Sequence, residues 1–181
     1  MKVYREFILK NGKKLILRSA EKYDAEAELS MYKQQVSETP FLSRGINDQF
    51  PTADSFAEYY QEQLENPKAC TLVAIYEGKL IGSGHTDWYN GRKRNLHICN
   101  LDMGILKEYW GLGIGGKIMQ TLIEVSKQAG LEQIELNVAK DNTRAIKMYE
   151  SFGFVQTGTH PHAMKYEDGT YADFVFMVKF L

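Results

Sequence analysis

The sequence predicts a single α+β domain built on a mixed, mostly antiparallel twisted sheet flanked by helices. Three observations indicate this fold class. A β-hairpin pattern opens the chain, a meander of three strand patterns follows two helices, and the C-terminal half alternates between strand and helix patterns. The chain has 181 residues, enough to bury one core without disulfide bonds. We therefore expect one domain over residues 1–181, without internal repeats.

The hairpin comes first in the chain. Strand patterns over residues 4–9 and 14–18 flank Asn11-Gly12, and this dipeptide is the strongest short hairpin signal. The hairpin adds to the central sheet at the N-terminus.

Two helices are predicted after the hairpin. Apolar residues at helical spacing indicate a helix over residues 24–36, and a second helix begins after the N-cap candidate Thr52 and ends before Pro67. Residues 37–51 between them are too many for a passive connection, so we interpret them as a lid or binding loop. The apolar stripes consist of Ala25, Leu29, Tyr32 and Val36 in the first helix, and Phe56, Tyr60 and Leu64 in the second.

An antiparallel meander follows. Strands over residues 71–76 and 79–88 meet at Glu77-Gly78, and a third strand over residues 95–106 follows a polar turn at residues 89–94. The basic residues of that turn are interpreted as a solvated hairpin tip.

The C-terminal half alternates between helices and strands. Gly130 and Gly153 are natural C-terminal caps, and Asn142 is a natural N-cap. His160-Pro161-His162 is interpreted as a polar loop because it has too few partners for a metal site. The predicted elements are helices over residues 114–129 and 142–152, and strands over residues 133–138, 154–157 and 171–180.

Composition and charge narrow the classes of partner. The formal net charge is −1, so the overall charge does not favour nucleic acid or an anionic membrane. Cys70 and Cys99 are too few for a secreted disulfide scaffold and lack metal-ligand spacing, which indicates a reducing compartment. No window resembles a signal peptide or a membrane span. We expect a cytoplasmic protein without a metal.

The run Gly111-x-Gly113-x-x-Gly116 lies between a strand pattern and a helix pattern. Its backbone N–H groups, together with the positive end of the helix dipole, can bind a phosphate. The same spacing matches a dinucleotide fingerprint, with Glu135 near the distance of a ribose-binding acid. That interpretation is disfavoured because residues 107–110 separate the strand from the first glycine and Glu135 lies inside a strand. It remains a remote alternative.

Two motifs carry a family resemblance. They are Leu101-x-Met103-x-Ile105-x-x-x-Tyr109-Trp110-Gly111-x-Gly113-Ile114-Gly115 and Leu136-x-Val138-x-x-x-Asn142-x-x-Ala145-x-x-Met148-Tyr149-x-x-x-Gly153-Phe154. In this order they resemble the acetyl-CoA core of the GNAT superfamily of N-acetyltransferases, over residues 96–158. The family usually has Arg or Gln where this chain has Trp110. The segment Asp168-Gly169-Thr170-Tyr171-x-Asp173 resembles the closing hairpin of the ribosomal-protein and polyamine acetyltransferase subgroup.

The resemblance implies acetyl-CoA as the cofactor. It implies that the strand before the glycine run splays from its neighbour, so that its backbone pairs with the pantetheine arm and polarises the thioester carbonyl. The glycine run would then bind the pyrophosphate, and Asn142 either contacts the cofactor or acts only as a cap. The implied cofactor-binding residues are Met103, Gly104, Ile105, Trp110, Gly111, Leu112, Gly113, Ile114, Gly115, Gly116, Asn142 and Tyr149.

The resemblance also implies roles in proton transfer. Tyr149 lies where the family carries the general acid, and a phenol with a pKa near 10 suits a departing thiolate; without the motif it would be interpreted as a core tyrosine. The offset of a glutamate base used by some members falls on His97, with Asp102 as the second candidate. Proton loss through water without a dedicated base is the competing hypothesis.

The predicted function is an N-acetyltransferase that transfers the acetyl group directly to a primary amine. Neither cysteine lies in the motifs, which disfavours a covalent acetyl-enzyme. The acceptor stays open between a small amine, a polyamine, an antibiotic and a peptide N-terminus. A non-catalytic acyl-CoA-binding module is the alternative, and a homodimer is a reasonable expectation. The acceptor-lining candidates, on positional grounds alone, are Phe41, Arg44, Trp88, Tyr89 and Tyr171.

Overall fold

The computed structural model describes residues 2–88 and 93–181. These residues form four α-helices around one eight-stranded sheet. The helices are α1 Ala25–Glu38, α2 Ala53–Glu65, α3 Ile114–Gln128 and α4 Thr143–Ser151. The strands are β1 Tyr4–Ile8, β2 Lys14–Ser19, β3 Cys70–Tyr76, β4 Lys79–Trp88, β5 Ile98–Ile105, β6 Gln133–Ala139, β7 Val155–Lys165 and β8 Tyr171–Phe180.

The sheet has the strand order β1-β2-β3-β4-β5-β6-β8-β7. Strands β5 and β6 are parallel, and the other six neighbouring pairs are antiparallel. The α+β class, the mostly antiparallel sheet and the N-terminal hairpin are thereby confirmed. A sheet with one parallel pair cannot provide the repeated parallel units of a dinucleotide-binding fold, so the remote alternative is wrong.

Two predicted boundaries need correction. Strand β5 begins at Ile98 rather than at residue 95, because Lys93–Asn95 form a 3-10 turn. The expected polar loop around His160 is instead part of β7, whose register against β8 shifts at two places. Pro161 is tolerated there because β7 is the edge strand and its missing N–H breaks no inner ladder.

Helices cover both faces of the sheet. On one face α3 packs closely over β4, where a Cβ on Gly84 would lie 2.6 Å from Cγ2 of Ile118. Helices α1 and α2 pack over the other face, where Met31 and Tyr60 are buried. Among the described residues, no helix is long and apolar enough to cross a membrane.

The buried side of α1 differs from the predicted apolar stripe. Glu28, Met31 and Gln35 are fully buried, whereas Leu29 and Tyr32 are only half-buried. Apolar periodicity cannot detect this face because two of its members are polar. Glu28 accepts a hydrogen bond from the Ser83 hydroxyl of β4, and the Gln35 side chain lies against Gly104 of β5.

Candidate active site

A wedge opens between β5 and β6. Their pairing ends at Asn100↔Glu135, so residues 101–105 of β5 pair only with β4 and residues 136–139 of β6 pair only with β8. A cavity of about 510 Å³ occupies this opening. The splay that the family resemblance implied is therefore present.

The walls of the cavity come from five parts of the chain. They are the C-terminal end of α1 with the loop that follows it, β5, the glycine run, the end of β6, and α4. Asp102 and Arg144 are the charged residues among those that line the cavity within the described part of the chain. Asp102 belongs to β5 and Arg144 to α4, so the negative and the positive side chain come from different walls.

The glycine run has a backbone suited to a phosphate. Gly111 and Gly113 both have φ +82°, and nothing lies within 4 Å of a Cβ built on either residue. The first backbone hydrogen bond of α3 runs from Lys117 N to Gly113 O at 3.2 Å, and earlier N–H groups of a helix have no intrahelical acceptor. Open space, free donors and the helix dipole together fit the pyrophosphate of coenzyme A.

Trp110 connects this loop to both neighbouring walls. Its indole Nε1 donates to the carbonyl oxygen of Ile105 at 2.8 Å. The guanidinium carbon of Arg144 lies 4.5 Å from the centroid of the Trp110 ring, a cation–π contact. Lys117 points elsewhere, with its Nζ 4.9 Å from the centroid of the Phe7 ring. The positive side chain at this end of the cavity is therefore that of Arg144.

Helix α4 supplies the residues of the second motif. The side chain of Asn142 accepts a hydrogen bond from the Ala145 N–H at 3.2 Å, which caps the helix, and Asn142 also lines the cavity. Tyr149 lies seven residues further along and borders the same cavity. It is 8% exposed and its ring is 5.8 Å from that of Phe154. Burial, and then the Asp102 carboxylate, raise the pKa of Tyr149 to about 12. Its hydroxyl is thus a protonated donor at neutral pH.

Asp102 provides the carboxylate of the site. Its side chain is 73% exposed and borders the cavity. Partial desolvation between the walls raises the pKa of Asp102, whereas the imidazole of His85 lowers it. Sequence reasoning ranked Asp102 second, behind His97.

The structure does not bring His97 to the cavity. Its carbonyl oxygen accepts hydrogen bonds from the N–H groups of Glu132 and Gln133, at the closed end of the β5–β6 pair. Asp102 lies five positions further along the chain, which corresponds to roughly 17 Å of extended chain. The position of the glutamate base in other family members therefore corresponds to His97 in this chain, but the carboxylate that borders the cavity is that of Asp102.

Of the acceptor-lining predictions that fall within residues 2–88 and 93–181, only Phe41 borders the cavity. Arg44 donates to the carbonyl oxygen of Gln49, and the indole N–H of Trp88 donates to that of Leu96 at 2.8 Å. The ring of Tyr171 stacks on His162 with centroids 4.7 Å apart. Tyr89 lies outside the described residues.

Sequence reasoning missed several residues that line the cavity. Gln35 was not predicted because a polar residue on a helix is ordinarily expected to face solvent. Arg144 was not predicted because a single basic residue in the first turn of a helix forms no recognisable pattern. Residues 137–139 had a usable signal, since they fall between the two ends of the second motif. Leu112, which was predicted to bind cofactor, packs against the hydrophobic core and is not among the cavity-lining residues.

A splayed strand pair followed by a glycine-rich helix start is the arrangement of an acetyltransferase. The model of the acetyltransferase (GNAT) family matches residues 31–154. The chain belongs to this family, and the family resemblance seen in the sequence is confirmed.

Individual proteins agree with this assignment. The L-amino acid N-acetyltransferase AaaT of Escherichia coli is 29% identical over 123 residues, which are 66% of this chain and 74% of that protein. N-alpha-acetyltransferase 30 of Schizosaccharomyces pombe is 40% identical over 86 residues, covering 46% of this chain and 56% of that protein.

Solved structures share the fold. A GNAT family acetyltransferase from Streptococcus pneumoniae has a TM-score of 0.88 at 28% identity, covering 92% of this chain and 99% of that one. YncA of Salmonella typhimurium, whose structure includes its cofactor acetyl-CoA, has a TM-score of 0.81 at 21% identity, covering 92% and 94%.

Proposed function

We propose that this acetyltransferase transfers an acetyl group from acetyl-CoA directly to a primary amine. The observation that carries the proposal is that a protonated phenol, Tyr149, and an accessible carboxylate, Asp102, border one cavity. Acetyl-CoA supplies an acetyl group activated as a thioester. Transfer to an amine needs one group that removes a proton from the amine and another that gives a proton to the departing sulfur. A binding module has no use for this pair, which favours an enzyme.

The wedge and the glycine run would hold the cofactor. The splayed backbone of Met103, Gly104 and Ile105 is available to the amide groups of the pantetheine arm, and an N–H there would polarise the thioester carbonyl. Residues 111–116 would bind the pyrophosphate through their N–H groups, whereas the N–H of Trp110 already donates to the carbonyl oxygen of Lys107. Arg144, which lies over the Trp110 ring, would add a charge-assisted contact to the phosphates. Family members usually have Arg or Gln at the position of Trp110. Asn142 would contact the cofactor from the start of α4.

The proton steps follow from the positions of the two groups. The Asp102 carboxylate would accept a proton from the ammonium form of the acceptor, which leaves the amine with a free electron pair. The Tyr149 hydroxyl would donate its proton to the coenzyme A thiolate. We prefer Asp102 to His97 as the base because Asp102 borders the cavity and His97 does not. Proton loss through water alone is the alternative.

The acceptor is proposed as a primary amine, and amino acids and peptides come first among the candidates. One relative is named for L-amino acids and another for N-alpha acetylation, and an α-amino group is common to both. The cavity wall formed by Thr39, Phe41 and Leu42 belongs to the loop predicted to act as a lid or binding loop, and would lie beside the acceptor. We place the enzyme in the cytoplasm because Cys70 and Cys99 are buried, unpaired thiols.

A coenzyme A release assay tests this proposal. The panel would contain amino acids, short peptides, polyamines and aminoglycosides, each supplied with acetyl-CoA. We expect turnover with at least one amine, and a loss on the order of 10²-fold in kcat for Tyr149→Phe, because this change removes only the donor hydroxyl. Calorimetry should give the same coenzyme A affinity for both proteins.

Tyr109→Phe is the matched control, since Tyr109 also lines the cavity but is not in the second motif. Its turnover should equal that of the parent. Release of coenzyme A by Tyr149→Phe at the parental rate would remove the general-acid role. Tight coenzyme A binding without acetylation of any amine would instead favour the non-catalytic binding module.

A further inference from the structure

Three titratable side chains form a cluster beside the cavity, on the sheet face that α1 and α2 cover. His85 and Asp102 are direct cross-strand partners on β4 and β5. Nε2 of His85 lies 3.8 Å from Oδ2 of Asp102 and 3.6 Å from Oδ2 of Asp87. The imidazole thus lies between the cavity carboxylate and a second carboxylate that is not among the cavity-lining residues.

Helix α2 fixes the far side of this cluster. The Tyr59 hydroxyl and the Gln63 side-chain amide both donate to Oδ1 of Asp87, at 2.8 and 2.9 Å. The Tyr59 ring also meets the His85 ring edge to face, with centroids 6.0 Å apart. Two donors therefore hold Oδ1 of Asp87 while its Oδ2 faces the imidazole.

The pKa of Asp102 depends on three effects. Desolvation and the Asp87 carboxylate raise this pKa, whereas His85 lowers it. On α1, Glu28 is bound to Ser83, two residues along β4 from His85, and contributes another acidic group to this face. Within the described residues, His85 is the group whose charge acts to keep Asp102 ionised.

We propose that His85 is a positioning residue of the acceptor site: lying between Asp87 and Asp102, it aims the Asp102 carboxylate at the acceptor amine. This role rests on the proposed function. In the proton step, an ammonium nitrogen loses one proton to the Asp102 carboxylate, which yields a neutral amine and a carboxylic acid. The accessible side chain of Asp102 then returns that proton to solvent.

The test follows the Asp102 carboxyl carbon by NMR during an acid titration of the protein without ligands, with Asp102→Asn to assign the signal. The imidazole of His85 lowers the pKa of Asp102, and His85→Gln should remove this effect. We expect the midpoint of Asp102 to rise by about one pH unit in His85→Gln. His85→Lys, which keeps a cation at this position, should restore a midpoint near that of the parent.

His97→Gln is the matched control. It removes a histidine that directly precedes β5, five positions before Asp102, and it should leave the midpoint of Asp102 unchanged. An unchanged midpoint in His85→Gln, or an equal rise in His97→Gln, would overturn the inference. The acid limb of kcat/KM, measured with the fastest amine of the panel, should move in the same direction as the midpoint. If the midpoint moves but no amine is acetylated by the parent, the positioning contact stands and the proposed function fails.

Discussion

At the scale of single residues, Glu28 is unusual because a carboxyl group is buried beneath α1. It is 5% exposed, and its Oε1 accepts a hydrogen bond from the Ser83 hydroxyl at 2.6 Å. Among the described residues its Oε2 has no hydrogen-bond partner. Burial raises the pKa of Glu28 to about 7, only partly opposed by the Ser83 hydrogen bond. The folded protein therefore favours the protonated form of Glu28 more than the unfolded chain does.

This shift predicts a stability that falls as the pH rises. Unfolded Glu28 titrates near 4.5 and folded Glu28 near 7, so between these values the folded state holds one proton more. The contribution to the free energy of unfolding is greatest below about pH 4.5 and is lost as the pH rises to about 7. The full loss is on the order of 3 kcal/mol. Glu28→Gln, which is neutral at every pH, should remove most of this dependence in urea unfolding at pH 5 and pH 8.

Glu26→Gln supplies the comparison, because Glu26 is exposed on the same helix. It should keep the parental difference between the two pH values. If Glu28→Gln and the parent lost the same stability between pH 5 and pH 8, the assignment of this dependence to Glu28 would be refuted.

At the scale of elements, the starts of α3 and α4 line one end of the cavity, where we propose that the phosphates bind. Helix α3 offers free N–H groups and open space at its glycines, and α4 offers Arg144 beside Trp110. Lys117 has the sequence position expected of a phosphate ligand but contacts Phe7. The direction of a side chain, rather than its distance along the chain from the glycines, decides which cation faces the cavity.

This geometry predicts unequal effects of two charge removals. Arg144→Ala should weaken coenzyme A binding by about 10- to 100-fold in calorimetry, since a charge-assisted contact to a phosphate is lost. Lys117→Ala, which removes the same charge from the neighbouring helix, should bind with parental affinity. Equal weakening by both variants would mean that the cavity attracts phosphate by overall charge and that Arg144 has no specific contact.

At the scale of the whole molecule, the cavity divides the sheet. Strands β1 to β5 form one part, and β6, β8 and β7 form the other; β5 and β6 pair at only three positions. A ligand inserted in the wedge would contact both parts. Binding to the folded state alone raises the free energy of unfolding of the entire domain.

Ligand-dependent stability therefore tests the assignment at this scale. Acetyl-CoA at one hundred times its Kd should raise the free energy of unfolding by about 2.7 kcal/mol. NADH at the same concentration should leave it unchanged, because the sheet lacks the parallel units of a dinucleotide fold. Thermal denaturation with each compound measures both. Stabilisation by NADH alone would contradict the acetyl-CoA site.

Much of the site was predictable because it depends on the local chain. The glycine run, the Asn142 cap and the position of Tyr149 on α4 follow from short patterns, since a tight turn, a helix start and a helix face are fixed by residues close in sequence. The splay of β5 was predictable only through the family resemblance. The start of β7 was predictable, but its length was not, because pairing with β8 extends it past residues that favour a loop.

The sequence by itself determined the fold class, the family and the glycine run that lines one end of the cavity, because these depend on periodicity and on glycines at fixed spacing. The tertiary structure decided which charged groups meet. His85 and Asp102 are seventeen residues apart and become neighbours through strand register, while α2 brings Tyr59 and Gln63 to Asp87. His97 had the expected offset but lies at the closed end of the strand pair. Contacts of this kind arise from the packing of distant segments, which no local pattern encodes.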